Sequence, residues 1–511
     1  MGSIAFQLMV ITIVSKFTGL FREVFFGAVF GTSIIKDIYV ITNSLTAILF
    51  SYLFVSTQTT FIPMYNNVLS KKDRKAADHF TSNLTNTLVL LAGLVILLTW
   101  IFAGPLARII APGFSPENIA RTAEFLRIVV VGILFSAINA APISYLNIYD
   151  NFATPATTGI LMNIILVAFA YVAAKQDSMV LLAVGAVAAK GLQYAFFPRA
   201  MRKTGYRHSR VLDPKDPFIR EALLIALPAI FSILVNDLSV IIDKSIASAI
   251  VSEGGVSAMD YAAKLIDFVQ GIVVVSIVTA SYPRMSRLGQ DRTMRSRFKR
   301  LTQQAVSSGA LLVVPSVAGL MLFATPITRL FFERGAFTAE STAMVSTILF
   351  WYAPSLLFIL FSQVYTRAFY SLKDTRTPLI AGAIQVAIDI ILNFILSYFF
   401  GLSGLAASTT IGAIAGSLLL MTFLRIKIGP LGLSRMGKSL AKIFMATLAM
   451  GLASWAVYRF LPLTSDNLRF VLALLVAILT YLVVVIALRI PEAQHLALRA
   501  IERLEAHFPD R

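Results

Sequence analysis

Apolar runs of eighteen or more residues recur from one end of this 511-residue chain to the other, and that one feature decides what it can fold into. A helix of about 20 apolar residues crosses the roughly 30 Å hydrocarbon layer of a bilayer. Inside lipid such a segment must satisfy its own backbone polar groups, which a helix does within itself. The composition agrees, with 57% hydrophobic residues, 14% charged residues and a mean hydropathy of +0.79. The chain is therefore read as an all-α polytopic membrane protein. It has no cysteine, so disulfides, thiolate metal sites and a cysteine nucleophile are excluded.

Fourteen transmembrane helices are predicted near 4–29, 38–66, 80–103, 123–146, 156–174, 178–198, 221–250, 256–283, 301–325, 341–366, 378–400, 402–424, 443–461 and 468–488. The first is too long for the core of a signal peptide and is read as a permanent span. Lys and Arg exceed Asp and Glu by 44 − 26 = 18, an excess that in a soluble protein would suggest nucleic acid. Position argues otherwise. Gaps after even-numbered helices, with the C-terminal tail, hold 30 of the 44 basic residues; gaps after odd-numbered helices hold nine. The other five, Lys16, Arg22, Lys190, Lys244 and Lys264, fall inside spans. The positive-inside rule then places both termini in the cytoplasm. The basic loops orient the protein and touch the headgroups of membrane lipids, with no nucleic-acid partner expected.

The chain also matches itself. Pro105-Leu106-Ala107-Arg108-Ile109 answers Pro326-Ile327-Thr328-Arg329-Leu330 at an offset of 221, and Phe114-Ser115-Pro116-Glu117 answers Phe337-Thr338-Ala339-Glu340 at 223. The same 223 carries Asp37 to Asp260 and Thr154-Pro155 to Thr377-Pro378. An offset of six spans keeps both copies the same way up, so two six-helix lobes in parallel repeat are expected, with a cavity at their interface. The N-lobe (helices 1–6) takes 1–200, a cytoplasmic linker 201–220 and the C-lobe (helices 7–12) 221–428; helices 13 and 14 occupy 429–490. A tail at 491–511 reads as an amphipathic helix on the inner surface.

Ionisable residues inside spans are costly and mark pathways. In helix 1, Lys16 and Glu23 are seven residues apart and share a face, while Arg22 lies about 120° from Lys16. Helix 8 opens with Asp260, Lys264 and Asp267 at i, i+4 and i+7, a cation between two carboxylates. Lys16, Arg22 and Lys264 are the candidate anion-binding cations, since ammonium and guanidinium groups donate to phosphate oxygens. Glu23, Asp37, Asp260 and Asp267 are the candidate gate or cavity residues. Helix 7 carries Asn236, Asp237, Asp243 and Lys244, and helix 11 stacks Gln385, Asp389 and Asn393 at i, i+4 and i+8. Oxygen ligands suit hard monovalent cations, so Asp237, Gln385, Asp389 and Asn393 are a candidate Na+ site or proton carrier; polar glue between helices is the alternative. Enzymatic readings fare poorly. The four histidines, His79, His208, His495 and His507, lack metal-ligand spacing, and neither a phosphate-binding Gly-rich loop with Gly-Lys-Ser/Thr nor a Gly-x-Ser-x-Gly elbow is present. The chain is read as a transporter without nucleotide hydrolysis of its own and without a cofactor.

Ser15-Lys16-Phe17-Thr18-Gly19-Leu20-Phe21-Arg22-Glu23 resembles the Ser-Arg-x-x-Gly-x-x-Arg-Asp of the MurJ/MviN lipid II flippases, within the multidrug/oligosaccharidyl-lipid/polysaccharide exporter superfamily. Phe30-Gly31 and Asp37, Ala111-Pro112-Gly113-Phe114, Leu146-Asn147, Phe152, Pro155-Ala156 and Asn163 continue the resemblance. In the second half, Tyr261-Ala262-Ala263-Lys264-Leu265, Phe331 to Thr338 and Lys373-Asp374-Thr375-Arg376-Thr377-Pro378 are similar to further family stretches. The resemblance implies a basic central cavity that binds the pyrophosphate headgroup of an undecaprenyl-linked peptidoglycan precursor. It also implies a groove for the lipid tail at helices 13 and 14, alternating access across the bacterial inner membrane, and partners in cell-wall synthesis. It gives Lys16, Arg22 and Lys264 the headgroup role and Asp37 a place at the outer gate. Lysine replaces the family's arginine at 16 and 264, and residues 49–56 carry no charge where the family usually does. A flippase for another undecaprenyl-linked oligosaccharide, or a cation-coupled drug antiporter, are the alternative readings.

Overall fold

The computed structural model describes residues 2–462, 465–490 and 492–494, so the tail predicted over 491–511 lies almost wholly outside the described residues. Among them the chain is helical with no strand. Among the described residues, nine helices are long and apolar enough to cross a membrane, or ten if one bent pair counts as a single span. Contacts divide the chain into two compact units, Met1–Asp260 with Arg334–Ser341, and Tyr261–Glu333 with the described chain from Thr342 onward.

The first unit holds α1 (Gly2–Phe30), α2 (Ile34–Lys71), α3 (Arg74–Ile101), α4 (Ala103–Ile110), α5 (Pro116–Val129), α6 (Gly132–Ile148), α7 (Ala153–Lys175), α8 (Met179–Tyr194), α9 (Phe197–Lys203) and α10 (Pro217–Ile250). Helix α10 packs along α2, and α1 packs along α7. The start of α11 (Gly255–Val269) also belongs to this unit. Packing here is inside out relative to a soluble bundle. Alanines such as Ala137, Ala140, Ala141, Ala183 and Ala189 are buried, while Leu90, Leu94, Leu97 and Ile101 of α3 are exposed. Lipid is as apolar as leucine, so interfaces between helices select small residues that bring backbones close. At the basic-loop end, Phe61, Tyr65, Phe80, Tyr145 and Phe197 form an aromatic core that fixes α2, α3, α6 and α9 together.

The second unit continues α11 through a π-turn at Gln270–Val274 into α12 (Val275–Gln290), followed by α13 (Arg295–Leu322), α14 (Ala324–Phe332), α15 (Ala339–Tyr352), α16 (Ser355–Ser371), α17 (Arg376–Ile428), α18 (Leu433–Phe460) and α19 (Asp466–Ala487). Helices α15 and α16 form the bent pair, at 42°, and Pro354 sits at the bend. Helix α17 covers both segments predicted at 378–400 and 402–424, and the break falls at Gly401 (φ 58°, ψ −136°), outside the helical region. The order of long helix, short amphipathic helix and broken helix occurs twice, as α3, α4, α5/α6 and as α13, α14, α15/α16. The breaks at Val130 and Ala353 are 353 − 130 = 223 residues apart, which is the offset found in the sequence.

Candidate functional site

A chain of alternating charges runs through the first unit. Arg22 on α1 donates from Nη1 to Asn163 Oδ1 on α7 at 2.9 Å and from Nε to Glu23 Oε1 at 3.1 Å. Lys36 on the first turn of α2 donates to Glu23 Oε2 at 2.9 Å and lies 3.8 Å from Asp260 Oδ2. Lys244 on α10 lies 3.6 Å from Asp260 Oδ1 and donates to Ser44 Oγ at 2.6 Å. Three cations and two carboxylates from α1, α2, α10 and the start of α11 are thus linked in the order Arg22, Glu23, Lys36, Asp260, Lys244. Lys36 is wholly buried, with its ammonium 4.8 Å from the Phe26 ring centre and 5.3 Å from that of Tyr39. Desolvating five charges is costly, and each is held by at least one opposite partner, the condition under which buried ions persist. Arg22 and Lys244 retain 17% and 14% side-chain exposure against none for Lys36, so the cluster is closed at its centre and partly open at its ends.

Next to Lys36, Asp37 turns to a different task. Its Oδ2 accepts the Gly254 N–H and its Oδ1 accepts the Ser257 N–H, both at 2.6 Å. The carboxylate thereby caps the free N–H groups at the start of α11, where the helix dipole favours a negative charge. The surrounding joint is tight. The Ala336 N–H donates to Ala28 O at 2.8 Å, and Gly335 (φ +61°) sits so close that a Cβ there would lie 2.1 Å from Ala28 O. Only glycine fits such a contact at that dihedral. Two adjacent residues of α2 therefore tie α1 and α11 together, Lys36 through side-chain charges and Asp37 through main-chain N–H groups.

Arg22, Glu23, Asp37 and Asp260, all singled out from the sequence, meet in this region. Lys16 lies on the exposed side of α1 and has no ion pair among the described residues. Sharing a helical face with Glu23 does not bring it into the cluster, because seven residues separate them by two turns. Lys264 lies 3.9 Å from Asp267, both in the second unit. Lys36 falls among the loop charges in the sequence because the predicted span starts at 38; α2 begins at Ile34, four residues earlier, and takes Lys36 inside. Lys244 and Asn163 were visible as polar residues in apolar helices, but periodicity does not pair them with Asp260 and Arg22.

In the second unit Asp389 and Asn393 are buried. The Asn393 side-chain oxygen accepts from Ser408 across the break in α17. Gly412 and Gly416 present bare backbone to Asp389 and Gln385, where added Cβ atoms would fall 3.1 Å and 2.0 Å away. The glycines let the two arms of α17 close on the polar stack. Asp237 belongs to α10 in the first unit.

A family model described as lipid II flippase MurJ matches residues 26–481. A probable lipid II flippase MurJ of Rickettsia prowazekii is 28% identical over 410 residues, covering 79% of this chain and 80% of the relative. One from Bdellovibrio bacteriovorus is 26% identical over 488 residues, covering 92% and 90%. A solved structure of the lipid II flippase MurJ in an inward closed conformation superposes with a TM-score of 0.82 at 26% identity, covering 94% of this chain and 98% of that one. An inward-facing multidrug transporter of the MATE family shares the fold, with a TM-score of 0.69 at 15% identity over 85% of this chain and 99% of its own.

Proposed function

This chain belongs to the MurJ lipid II flippase family, and from that premise we propose that it moves lipid II from the cytoplasmic to the outer leaflet of a bacterial inner membrane by alternating access. The observation that carries the reading is the alternating-charge cluster built on Arg22, Glu23, Lys36, Asp260 and Lys244. A pyrophosphate esterified at both ends brings about two negative charges and several acceptor oxygens, so it competes with Glu23 and Asp260 for the same donors. Arg22 offers a planar two-pronged contact, and Lys16 and Lys264 serve as point charges toward the same headgroup. When Glu23 or Asp260 yields a cation to substrate, the tie between α1, α2 and α11 weakens, and the Asp37 cap on α11 is the contact that must part next. Headgroup binding is thereby linked to opening of the joint. Glu23, Asp37, Asp260 and Asp267 act as gate and cavity residues in this scheme.

The basic loops and both termini face the cytoplasm, six-helix lobes at 1–200 and 221–428 rock about their interface, and helices 13 and 14 carry the lipid tail. The chain hydrolyses no nucleotide itself. Asp237, Gln385, Asp389 and Asn393 form a Na+ or H+ coupling site. Transport by Asp389→Asn should lose its dependence on the coupling ion, and retention of the full dependence removes that role.

The test is complementation of a conditional lipid II flippase depletion strain, with membrane expression verified. Rescue by the parent and failure of Arg22→Ala supports lipid II as cargo and the cluster as its site. Failure of a correctly inserted parent moves the cargo to another undecaprenyl-linked oligosaccharide, a second reading favoured by the uncharged stretch at 49–56.

A further inference from the structure

A second basic concavity lies at the basic-loop end of the first unit, away from the charge cluster. Helices α3 and α8 both pack on α6, which leaves a groove between them with α6 as its floor. The groove encloses about 890 Å³ and is lined by Val89 of α3, Ile138 and Pro142 of α6 and Tyr194 of α8, with Arg202, Arg207 and His208 at its polar end. Its flanks carry exposed Leu90 and Leu94 on α3 and exposed Leu192 and Phe196 about α8, so the apolar part opens toward the bilayer. Neither Arg202 nor Arg207 has an ion pair among the described residues. Two guanidinium groups without carboxylate partners among the described residues, set at the end of an apolar trough, form an amphiphile's shape in reverse.

The roof of the groove is held in place. Residues 204–216 cross from α9 to α10 without helical structure, yet they are strapped to α3. Asn83 donates to Asp213 O at 2.9 Å and accepts the Asp213 N–H at 2.8 Å. Asn86 donates to Val211 O at 2.6 Å, and Ser82 Oγ accepts the Ser209 N–H at 3.1 Å and lies 2.8 Å from Tyr206 Oη. Tyr206 Oη in turn lies 3.2 Å from His208 Nδ1. The arginines at the mouth are therefore mounted on a fixed segment, Arg202 on α9 and Arg207 on the strap.

The geometry points to a binding site for one anionic glycerophospholipid of the inner leaflet, its phosphate on Arg202 and Arg207 and one acyl chain along Val89, Ile138 and Pro142. Guanidinium groups pair bidentately with phosphate oxygens, and basic pockets between membrane helices on the cytoplasmic side select anionic headgroups. The site shares no residue with the cluster around Glu23 and does not rest on the substrate reading; its assignment to the inner leaflet rests on the orientation proposed above. A bound lipid would brace the strap that joins the first nine helices to α10.

Native mass spectrometry of the full chain, released from neutral detergent with phosphatidylglycerol or phosphatidylcholine added, tests this. At least tenfold preferential retention of one phosphatidylglycerol is expected, lost both in Arg202→Ala/Arg207→Ala and in Ile138→Trp, which fills the trough without changing charge. Equal retention of the two lipids, or retention unchanged by both variants, overturns the site. Displacement of the lipid by millimolar sn-glycerol 3-phosphate alone overturns the lipid assignment in favour of a soluble phosphate ligand. Flippase complementation failing while lipid retention behaves as expected would sink the substrate reading and leave this one standing.

Discussion

The joint around Lys36 and Asp37 and the strap over α3 both tie together segments far apart in sequence, and they do so with opposite chemistry. The joint uses ions: Glu23, Lys36, Asp260 and Lys244 in series, and a carboxylate on the N–H groups of Gly254 and Ser257. The strap uses neutral groups, with the amides of Asn83 and Asn86 and the hydroxyl of Ser82 bonded to main chain. An ion pair can be exchanged for another ion, so a charged substrate has leverage on the joint. An amide pairing with main chain offers such a substrate nothing to compete for. Under the proposed mechanism the difference gives the two ties different tasks, the joint to part during each cycle and the strap to persist.

Breaking the joint at its most buried atom should have the largest effect. Lys36→Met leaves Glu23 and Asp260 facing each other's environment without their shared cation, and removing one member of a buried ion network costs about 3–5 kcal/mol. A large drop in thermal midpoint in detergent is expected. Removing the three most buried members of the network sharpens the comparison. Glu23→Leu/Lys36→Met/Asp260→Leu should regain part of that stability, since apolar replacement of buried ions is often neutral and the remaining Arg22 and Lys244 are partly exposed and keep Asn163 and Ser44 as partners, yet give no rescue in the depletion strain. Rescue by the triple variant would show that the charges serve only to hold the fold.

Gly335→Val probes the same joint through its backbone. A side chain at φ +61° costs about 1–2 kcal/mol, and its Cβ would collide with Ala28 O. The substitution should expose the α1–α2 turn to a membrane-impermeant thiol reagent at an introduced Thr32→Cys, in a chain that has no other cysteine. Unchanged labelling would mean the joint closes without this contact. At the strap, Asn83→Ala removes a reciprocal pair to a solvent-exposed residue, at about 1 kcal/mol per hydrogen bond. Faster hydrogen exchange over 209–216 is expected with transport per folded molecule unchanged. A loss of transport at full stability would break the distinction between the two ties.

The sequence was informative where a charge sat in an apolar run. Arg22, Glu23 and Asp260 stand out against their helices because lipid makes such residues expensive, and they do meet. Asp37 is visible through its repeat partner, yet its action as a cap on α11 depends on a contact 217 residues away, which no local pattern encodes. Lys36 was hidden by a four-residue error at the start of α2, a usual uncertainty of helix ends that here moved a cation from water to the centre of the cluster. The strap was invisible because Asn83 and Asn86 look like ordinary polar residues near a helix start. Pro214 and Pro217 in the linker suit a break between helices, and Asp216 with Pro217 does start α10 as cap and first residue, but nothing in that stretch names α3 as the surface it lies on.

The smallest predicted effect asks whether charge alone makes a tie breakable. Asp374, in the turn before α17, accepts from Lys427 near the end of the same helix, and from the Thr377 N–H at 3.0 Å. Burial alone would raise the Asp374 carboxyl, but hydrogen bonds from Lys427 and Thr377 outweigh it and bring it down to about 2. An unfolded aspartate titrates near 3.9, so the folded state holds fewer protons between these values. The stabilisation is therefore complete above about pH 4 and is lost as pH falls toward 2. The Lys427 side chain is 40% exposed, and an exposed pair is worth at most about 1 kcal/mol. Acid titration of the thermal midpoint should show a shallow fall over that interval, flattened in Asp374→Asn, with complementation unaffected. A transport defect in that variant would mean that a charged tie at the water boundary also takes part in the cycle, and that burial is not what separates the joint from the rest.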